Sequence, residues 1–203
     1  PKKFFHTAGN FAAHHEELAA VDWSHPVHKG IVFFQNVDAI VGPEDDIVYP
    51  EGLTKELDYE LELAIVVGRT GKWFDADEAA ERYVAGYTVF NDWTARAIQR
   101  KEMEMPLGPH KGKDFANAIG PCIVTKDEMN RYLGEGGKFN VRMTARINDQ
   151  VICDGNYNTV HYTFGQMIER ASENNVKLYP GDILGSGTVG WGSLIENNFE
   201  VHR

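Results

Sequence analysis

The apolar positions of this chain fall mostly in short runs bounded by turn residues. Leu57-Asp58-Tyr59-Glu60-Leu61-Glu62-Leu63-Ala64-Ile65-Val66-Val67-Gly68 reads as a strand. Ile31 to Phe34 is a second strand, and Tyr87 to Phe90 a third that ends at Asn91-Asp92. Phe139 to Ile147 and Val151 to Cys153 alternate on either side of Asn148-Asp149, which is a hairpin signal. Tyr179-Pro180-Gly181-Asp182 is a turn feeding Ile183-Leu184 and the glycine-rich run Gly185 to Gly190. Four segments carry helical patterns: residues 9–20 with Asn10 as cap; Asp75 to about Val84, with an acidic cap and Glu78 three residues on; Thr94 to Met103; and Thr163 to Ser172. Residues 42–52 and 106–121 read as loops, and one as long as the second is usually functional or disordered. Strands dominate without a regular βαβ repeat, so the fold class is α+β with a β-rich core.

Composition narrows the partners more than the fold. The chain has 203 residues, 42% of them hydrophobic, enough for one domain with a substantial core. A formal net charge of -10 disfavours nucleic acid and anionic membrane surfaces. No apolar stretch is long enough to span a bilayer, and the first residues do not form a secretory signal. Cys122 and Cys153 stand alone, which suits a reducing cytoplasm better than a disulfide framework.

Glu60 and Glu62 are the leading candidates for chemistry. Side chains two apart on a strand share a face, so their carboxylates repel unless a cation lies between them. A hard divalent ion such as Mg²⁺ fits, with Asp92 as a third oxygen ligand at a strand end. The plainer alternative is a solvated strand edge. His14 and Glu17 share a helix face, where a carboxylate can orient an imidazole as a general base, or both can simply face water. Lys111 and Lys113 lie in the long loop, where a lysine can hold an anion or stabilise an enolate. Arg96 and Gln99, also at i and i+3, either bind a carboxylate or face solvent. The Gly185 to Gly190 run offers N–H groups and the Thr188 hydroxyl to an anion, without the ending of a nucleotide loop. Trp93, Trp191, Tyr87 and Phe90 are most simply core.

In collinear order, these segments resemble the fumarylacetoacetate hydrolase family. The match runs through Asp58 to Ala64, Gly86 to Arg96, Pro106 to Pro109 with Lys113-Asp114-Phe115, Asp154-Gly155-Asn156, Pro180-Gly181-Asp182 and Gly187-Thr188. The resemblance implies a mixed β-sandwich roll like that family's C-terminal domain, a homodimer, and Mg²⁺ or Mn²⁺ on Glu60, Glu62 and Asp92. It selects Lys113 over Lys111 and His14 over His15, with Glu17 or Glu196 as the partner of His14. It implies a hydrolase that cleaves a C–C bond in a β-diketo or acylpyruvate-type acid. His14 would activate water, Lys113 would stabilise the enolate, and Arg96, Gln99 and Thr188 would hold the substrate carboxylate. Decarboxylation, isomerisation or dehydration of a related keto diacid uses the same chemistry, and a catalytically silent keto-acid binder is the other class. Departures from the family pattern fall at Gln35, Met103 and Asn117, and Thr7 offers no fourth carboxylate. The family's separate N-terminal domain and last hairpin are not expected in residues 1–203.

Overall fold

A computed structural model describes residues 1–11, 31–48, 50–105 and 108–196. In chain order its strands are β1 (Phe4–Ala8), β2 (Ile31–Gln35), β3 (Ile40–Val41), β4 (Leu57–Asp58), β5 (Leu61–Val67), β6 (Val84–Asp92), β7 (Thr94–Ala95), β8 (Asn117–Ile119), β9 (Val124–Thr125), β10 (Arg142–Ile147), β11 (Gln150–Asn156) and β12 (Ile183–Gly185). Eight of them form one mixed sheet in the order β2-β1-β12-β5-β6-β8-β3, with β9 also on β6. β1 runs parallel to β12 and β3 parallel to β8, while the β12-β5-β6 centre is antiparallel. The result is a sheet-dominated half-barrel with a few helices, in the expected α+β class.

The two faces of β5 explain how the barrel is used. Leu61, Leu63, Ile65 and Val67 point to the main core, with Phe164, Met167, Ile168 and Ala171 packed against the same cluster. Those four helix residues recur at the i, i+3, i+4, i+7 spacing of one apolar stripe on the Phe164–Ser172 helix. Each fully buried side chain of this size contributes roughly 1.5–3 kcal/mol. The opposite face carries a smaller cluster of Phe4, Ala64, Phe90 and Ile183. Glu62 alternates onto that second face, so the strand period sends its charge away from the main core.

Most expected elements form, with shifts that have local causes. Asn148 and Asp149 both take positive φ (48° and 65°), as a tight two-residue hairpin turn requires, and β10 pairs with β11 across them. Thr163 caps its helix through a reciprocal box with Gln166. Asp75 caps the Ala76–Tyr83 helix by accepting from Asp77 N, but Glu78 turns outward to Arg82 (2.5 Å) instead of closing a box. The helix expected from Thr94 covers Arg96–Glu102, because Thr94 and Ala95 pair with β4. The 106–121 segment also contains β8, drawn into the sheet by β6 and β3. Tyr87 and Phe90 are core, whereas Trp191 is 49% exposed at φ 65°. Most of the helix read over residues 9–20 falls outside the described residues.

The described residues contain no helix long and apolar enough to cross a membrane. Neither cysteine is in a disulfide: Cys122 is exposed and Cys153 is buried. Burial, with Glu196 nearby, pushes the Cys153 thiol up to about 11. At pH 8 a disulfide-exchange thiol reagent should therefore modify one thiol per chain rapidly, at Cys122, and the second only on unfolding. Rapid reaction of both thiols in the folded protein would contradict this packing.

Candidate metal and enolate site

β5, β6 and the 108–116 loop bring charge together on the smaller face of the sheet. Glu60, Glu62 and Asp92 are buried, as are Asp58, Arg96 and Lys113. The solvated-edge alternative for the two glutamates is thereby excluded: Glu60 is 5% exposed and Glu62 2%. Four buried carboxylates face two buried cations, which leaves an excess of negative charge in a low-dielectric setting.

Lys113 sits between the acids. Its Nζ donates to Glu60 Oε2 and Asp92 Oδ2, both at 2.6 Å, and to Thr94 Oγ1 at 2.9 Å. The loop that delivers it is pinned from the preceding helix: Glu102 accepts from the N–H groups of Lys111 and Gly112 (2.7 and 2.9 Å). Burial pulls the ammonium toward neutrality, but Asp92 and Glu60 more than offset this, and its pKa lies above the usual lysine value. Lys113 is therefore a fixed cation and not a general base at neutral pH. Lys111, by contrast, is exposed and paired with Asp114 at 2.6 Å.

Arg96 braces the other side. Its Nε donates to Asp58 Oδ2 (2.7 Å), and its Nη1 to Glu60 Oε1 (2.8 Å) and Gln99 Oε1 (2.9 Å). Arg96 and Gln99 do share a face, but the guanidinium is buried against the protein's own carboxylates. The expected role of Arg96 on a substrate carboxylate does not suit this arrangement, whereas the half-buried Gln99 amide nitrogen is compatible with it. Burial lowers the Arg96 pKa, but Glu60 and Asp58 outweigh it and leave it above its ordinary value.

The glycine-rich run serves the same acids. Thr188 Oγ1 donates to Glu60 Oε2 and Gly187 N to Glu62 Oε2, both at 2.9 Å. Ser186 N and Val189 N are spent on Leu63 O and Leu61 O. These donors hold protein carboxylates and carbonyls, not the free anion expected of them. Gly185 is required by close approach, since a Cβ there would stand 2.6 Å from Glu62 Oε2. Gly187 has φ +84°, and its Cβ would meet Thr7 O at 2.6 Å. Glu196 accepts from Ser193 N and Ser193 Oγ (both 2.8 Å), closing the turn after Trp191. His14 and Glu17 lie outside the described residues, so the choice of partner for His14 stays with the sequence argument.

One buried neighbour of the acids is not among the residues singled out from the sequence. His6, on β1, is 1% exposed, and its Nδ1 lies 3.0 Å from Asp92 Oδ2. One donor atom each from His6, Glu62 and Asp92 lies within 4.8 Å of the other two. Its neighbour Thr7, the position inspected for a fourth ligand, points to the main core and donates to Met167 Sδ. The available signal was an imidazole alternating with Phe4 on a short apolar strand that the pattern reading did not assign.

The residues present fit a divalent cation. Among the described residues Asp92 Oδ1 is buried without a hydrogen-bond partner, and the charge excess has the sign such an ion corrects. Burial, then Asp92 and Glu60, raise Glu62 well above the usual carboxylate value, against partial relief from Lys113 and the Gly187 N–H.

This half-barrel carries a buried cluster of acids with a fixed lysine, a donor set that could hold a metal ion. The chain belongs to the fumarylacetoacetate hydrolase family: that family's C-terminal domain model, Fumarylacetoacetate (FAA) hydrolase C-terminal, matches residues 3–201. Among curated relatives, the mitochondrial oxaloacetate tautomerase FAHD2A of Bos taurus is 36% identical, over 93% of this chain and 56% of its own length. The chain thus spans little more than half of that relative. Among solved structures, 5-carboxymethyl-2-hydroxymuconate delta-isomerase from Mycobacterium smegmatis aligns with TM-score 0.73 and 30% identity, over 94% of this chain and 68% of that one. Fumarylpyruvate hydrolase from Pseudomonas aeruginosa, solved with Mn²⁺ and pyruvate, shares the fold with TM-score 0.79 at 22% identity, over 94% and 78%. Family members of this kind are enzymes, and they include hydrolases, isomerases and tautomerases.

Two stability outcomes follow. Arg96→Met leaves Asp58 and Glu60 buried without their cation, and should cost about 3–5 kcal/mol in urea unfolding. Glu62 binds a proton more tightly folded than unfolded, so its contribution is fully present below its unfolded pKa and is lost as pH rises through the higher folded value. Glu62→Gln should therefore raise the Tm of metal-stripped protein at pH 7 and flatten its decline with pH. A lower Tm for that variant at pH 7 would contradict the raised pKa.

Proposed function

We propose that the protein is a divalent-metal-dependent enzyme that forms an enolate from a small anionic keto acid, and that its reaction is hydrolysis of a C–C bond in an acylpyruvate-type β-diketo acid. The observation that carries this reading is Lys113, a buried ammonium held cationic between two metal-competent carboxylates. A divalent ion, Mg²⁺ or Mn²⁺, would be held by Glu62 and Asp92 with Glu60 beside them, and would supply Lewis-acid polarisation of the substrate carbonyl.

The chain's own residues account for the remaining steps. His14, oriented by Glu17 or Glu196, takes a proton from water as the oxygen attacks the distal carbonyl carbon. The C–C bond breaks with its electron pair passing to the pyruvyl fragment as an enolate. That charge forms beside Lys113, whose cation needs no reorganisation because its partners already fix it. Protonation of the enolate carbon releases the keto acid, and the attacking water ends in the carboxylic acid product. Gln99 is the candidate for the substrate carboxylate. An acidic chain can accept an acidic substrate because the ion and Lys113 set the local field.

A second reading, keto–enol tautomerisation or isomerisation of a 2-keto diacid, has its own support. Lys113 and the acids stabilise an enolate whether or not water attacks, and the Bos taurus relative is named as an oxaloacetate tautomerase.

Product analysis by ¹H NMR on a panel of acylpyruvates and oxaloacetate, with Mn²⁺ or Mg²⁺ added, separates the two. Hydrolysis predicts pyruvate and a carboxylic acid in equal amounts. Enol-to-keto conversion of oxaloacetate with every acylpyruvate intact would sink the hydrolase reading and favour the tautomerase. Lys113→Met should lower kcat by roughly 10²–10³-fold on whichever substrate is turned over. Unchanged kcat in that variant would remove Lys113 from the chemistry.

A further inference from the structure

We infer that His6 is a nitrogen ligand of the metal, and that it shifts the site's preference from Mg²⁺ toward a first-row transition ion such as Mn²⁺ or Fe²⁺. This rests on the metal-dependent reading above and concerns which ion the site selects.

Three observations converge on His6. Its ring is 1% exposed; among the described residues Nε2 has no hydrogen-bond partner, and Nδ1 has none beyond its 3.0 Å approach to Asp92 Oδ2. A buried polar atom left unpaired costs roughly 1–3 kcal/mol, so a purely structural imidazole at this position is expensive. The ring is also aimed: Phe4, Phe33 and Phe90 surround it with centroids at 5.1, 5.4 and 4.8 Å, the last edge-on. Aromatic walls of this kind fix a ring's direction without competing for its lone pair. Third, its Nδ1 reaches the same oxygen of Asp92 that Lys113 reaches, at 3.0 Å.

The donor spacing is close to that of a single ion. The donors of His6, Glu62 and Asp92 lie within 4.8 Å of one another, so a contraction of about 0.6 Å or less brings them inside the ~4.2 Å that separates opposite ligands of an octahedral ion at ~2.1 Å. Glu60 is less available than its neighbours. Its Oε1 holds Arg96, and its Oε2 holds Lys113 and Thr188. Asp92 Oδ2 likewise accepts from Lys113 and Glu62 Oε2 from Gly187 N, but Asp92 keeps Oδ1 without a hydrogen-bond partner among the described residues, so His6 adds its nitrogen to the carboxylates of Glu62 and Asp92.

Such a set discriminates among ions. Mg²⁺ favours oxygen ligands and retained water, whereas imidazole favours ions later in the first transition row. A mixed nitrogen and oxygen site still accepts Mg²⁺ at high concentration, but yields to Mn²⁺ or Fe²⁺ in competition.

The test is pulsed electron paramagnetic resonance on Mn²⁺-loaded full-length chain, with Mn²⁺/Mg²⁺ competition measured alongside by isothermal titration. The wild-type chain should show ¹⁴N modulation from a directly bound imidazole. His14→Gln should keep that modulation, and His6→Gln should lose it. His6→Gln should also reduce the preference for Mn²⁺ over Mg²⁺ on the order of tenfold or more. Mn²⁺ bound at one site per chain without ¹⁴N modulation would overturn the His6 assignment and leave the metal reading standing. Modulation that survives in His6→Gln, or disappears in His14→Gln, would overturn it equally. If His6→Gln does not fold, the wild-type and His14→Gln spectra still decide the question. Failure of Mn²⁺ to bind at all would overturn both this inference and the reading beneath it.

Discussion

Burial of like charge organises this molecule. Asp58, Glu60, Glu62 and Asp92 are withdrawn from water, and among the described residues the buried cations set against them are Arg96 and Lys113. Isolated, such acids would take up protons or open the fold. They are held by dense donation instead: Arg96 to Asp58 and Glu60, Lys113 to Glu60 and Asp92, Thr188 to Glu60, and Gly187 N to Glu62. The arrangement is most costly without a further cation. That cost is the physical reason to read the cluster as a metal centre and not as a stabilising salt-bridge network.

The fold separates this strain from the parts that stabilise it. The larger apolar cluster occupies the other face of β5, where Leu63 and Ile65 belong to the same core cluster as residues of the Phe164–Ser172 helix. Strand alternation gives one short segment two opposite tasks, apolar packing on one side and charge on the other. Asp58 links the two regions: its carboxylate also accepts from Tyr59 N and Leu194 N, at 2.8 Å each, so the segment after the glycine-rich run is tied to the arginine brace. A change at Arg96 is thus felt by both the site and the packing of that segment.

Much of this was legible in the chain. The Glu60-x-Glu62 spacing and the strand end at Asp92 are local patterns, and the collinear resemblance singles out Lys113 from Lys111. What was not legible has non-local causes. Arg96 looks like a substrate contact on its helix, and only the tertiary packing of β4 shows that Asp58 and Glu60 occupy it. The Gly185 to Gly190 run looks like an anion loop, but antiparallel pairing with β5 directs its donors onto the protein's own groups. His6 lies on a strand, β1, that the apolar pattern does not announce, and its place beside Asp92 depends on β1 pairing with β12, some 180 residues away in the chain. Thr7, one residue on, faces the opposite side of the sheet.

The most direct test of the central claim is calorimetric titration of Mn²⁺ into metal-stripped protein at neutral pH. The charge excess predicts one site per chain with Kd on the order of 10 µM or tighter. A folded, metal-stripped protein that takes up no divalent ion at about 1 mM, a level at which even ~4 kcal/mol of binding would register, would contradict the account.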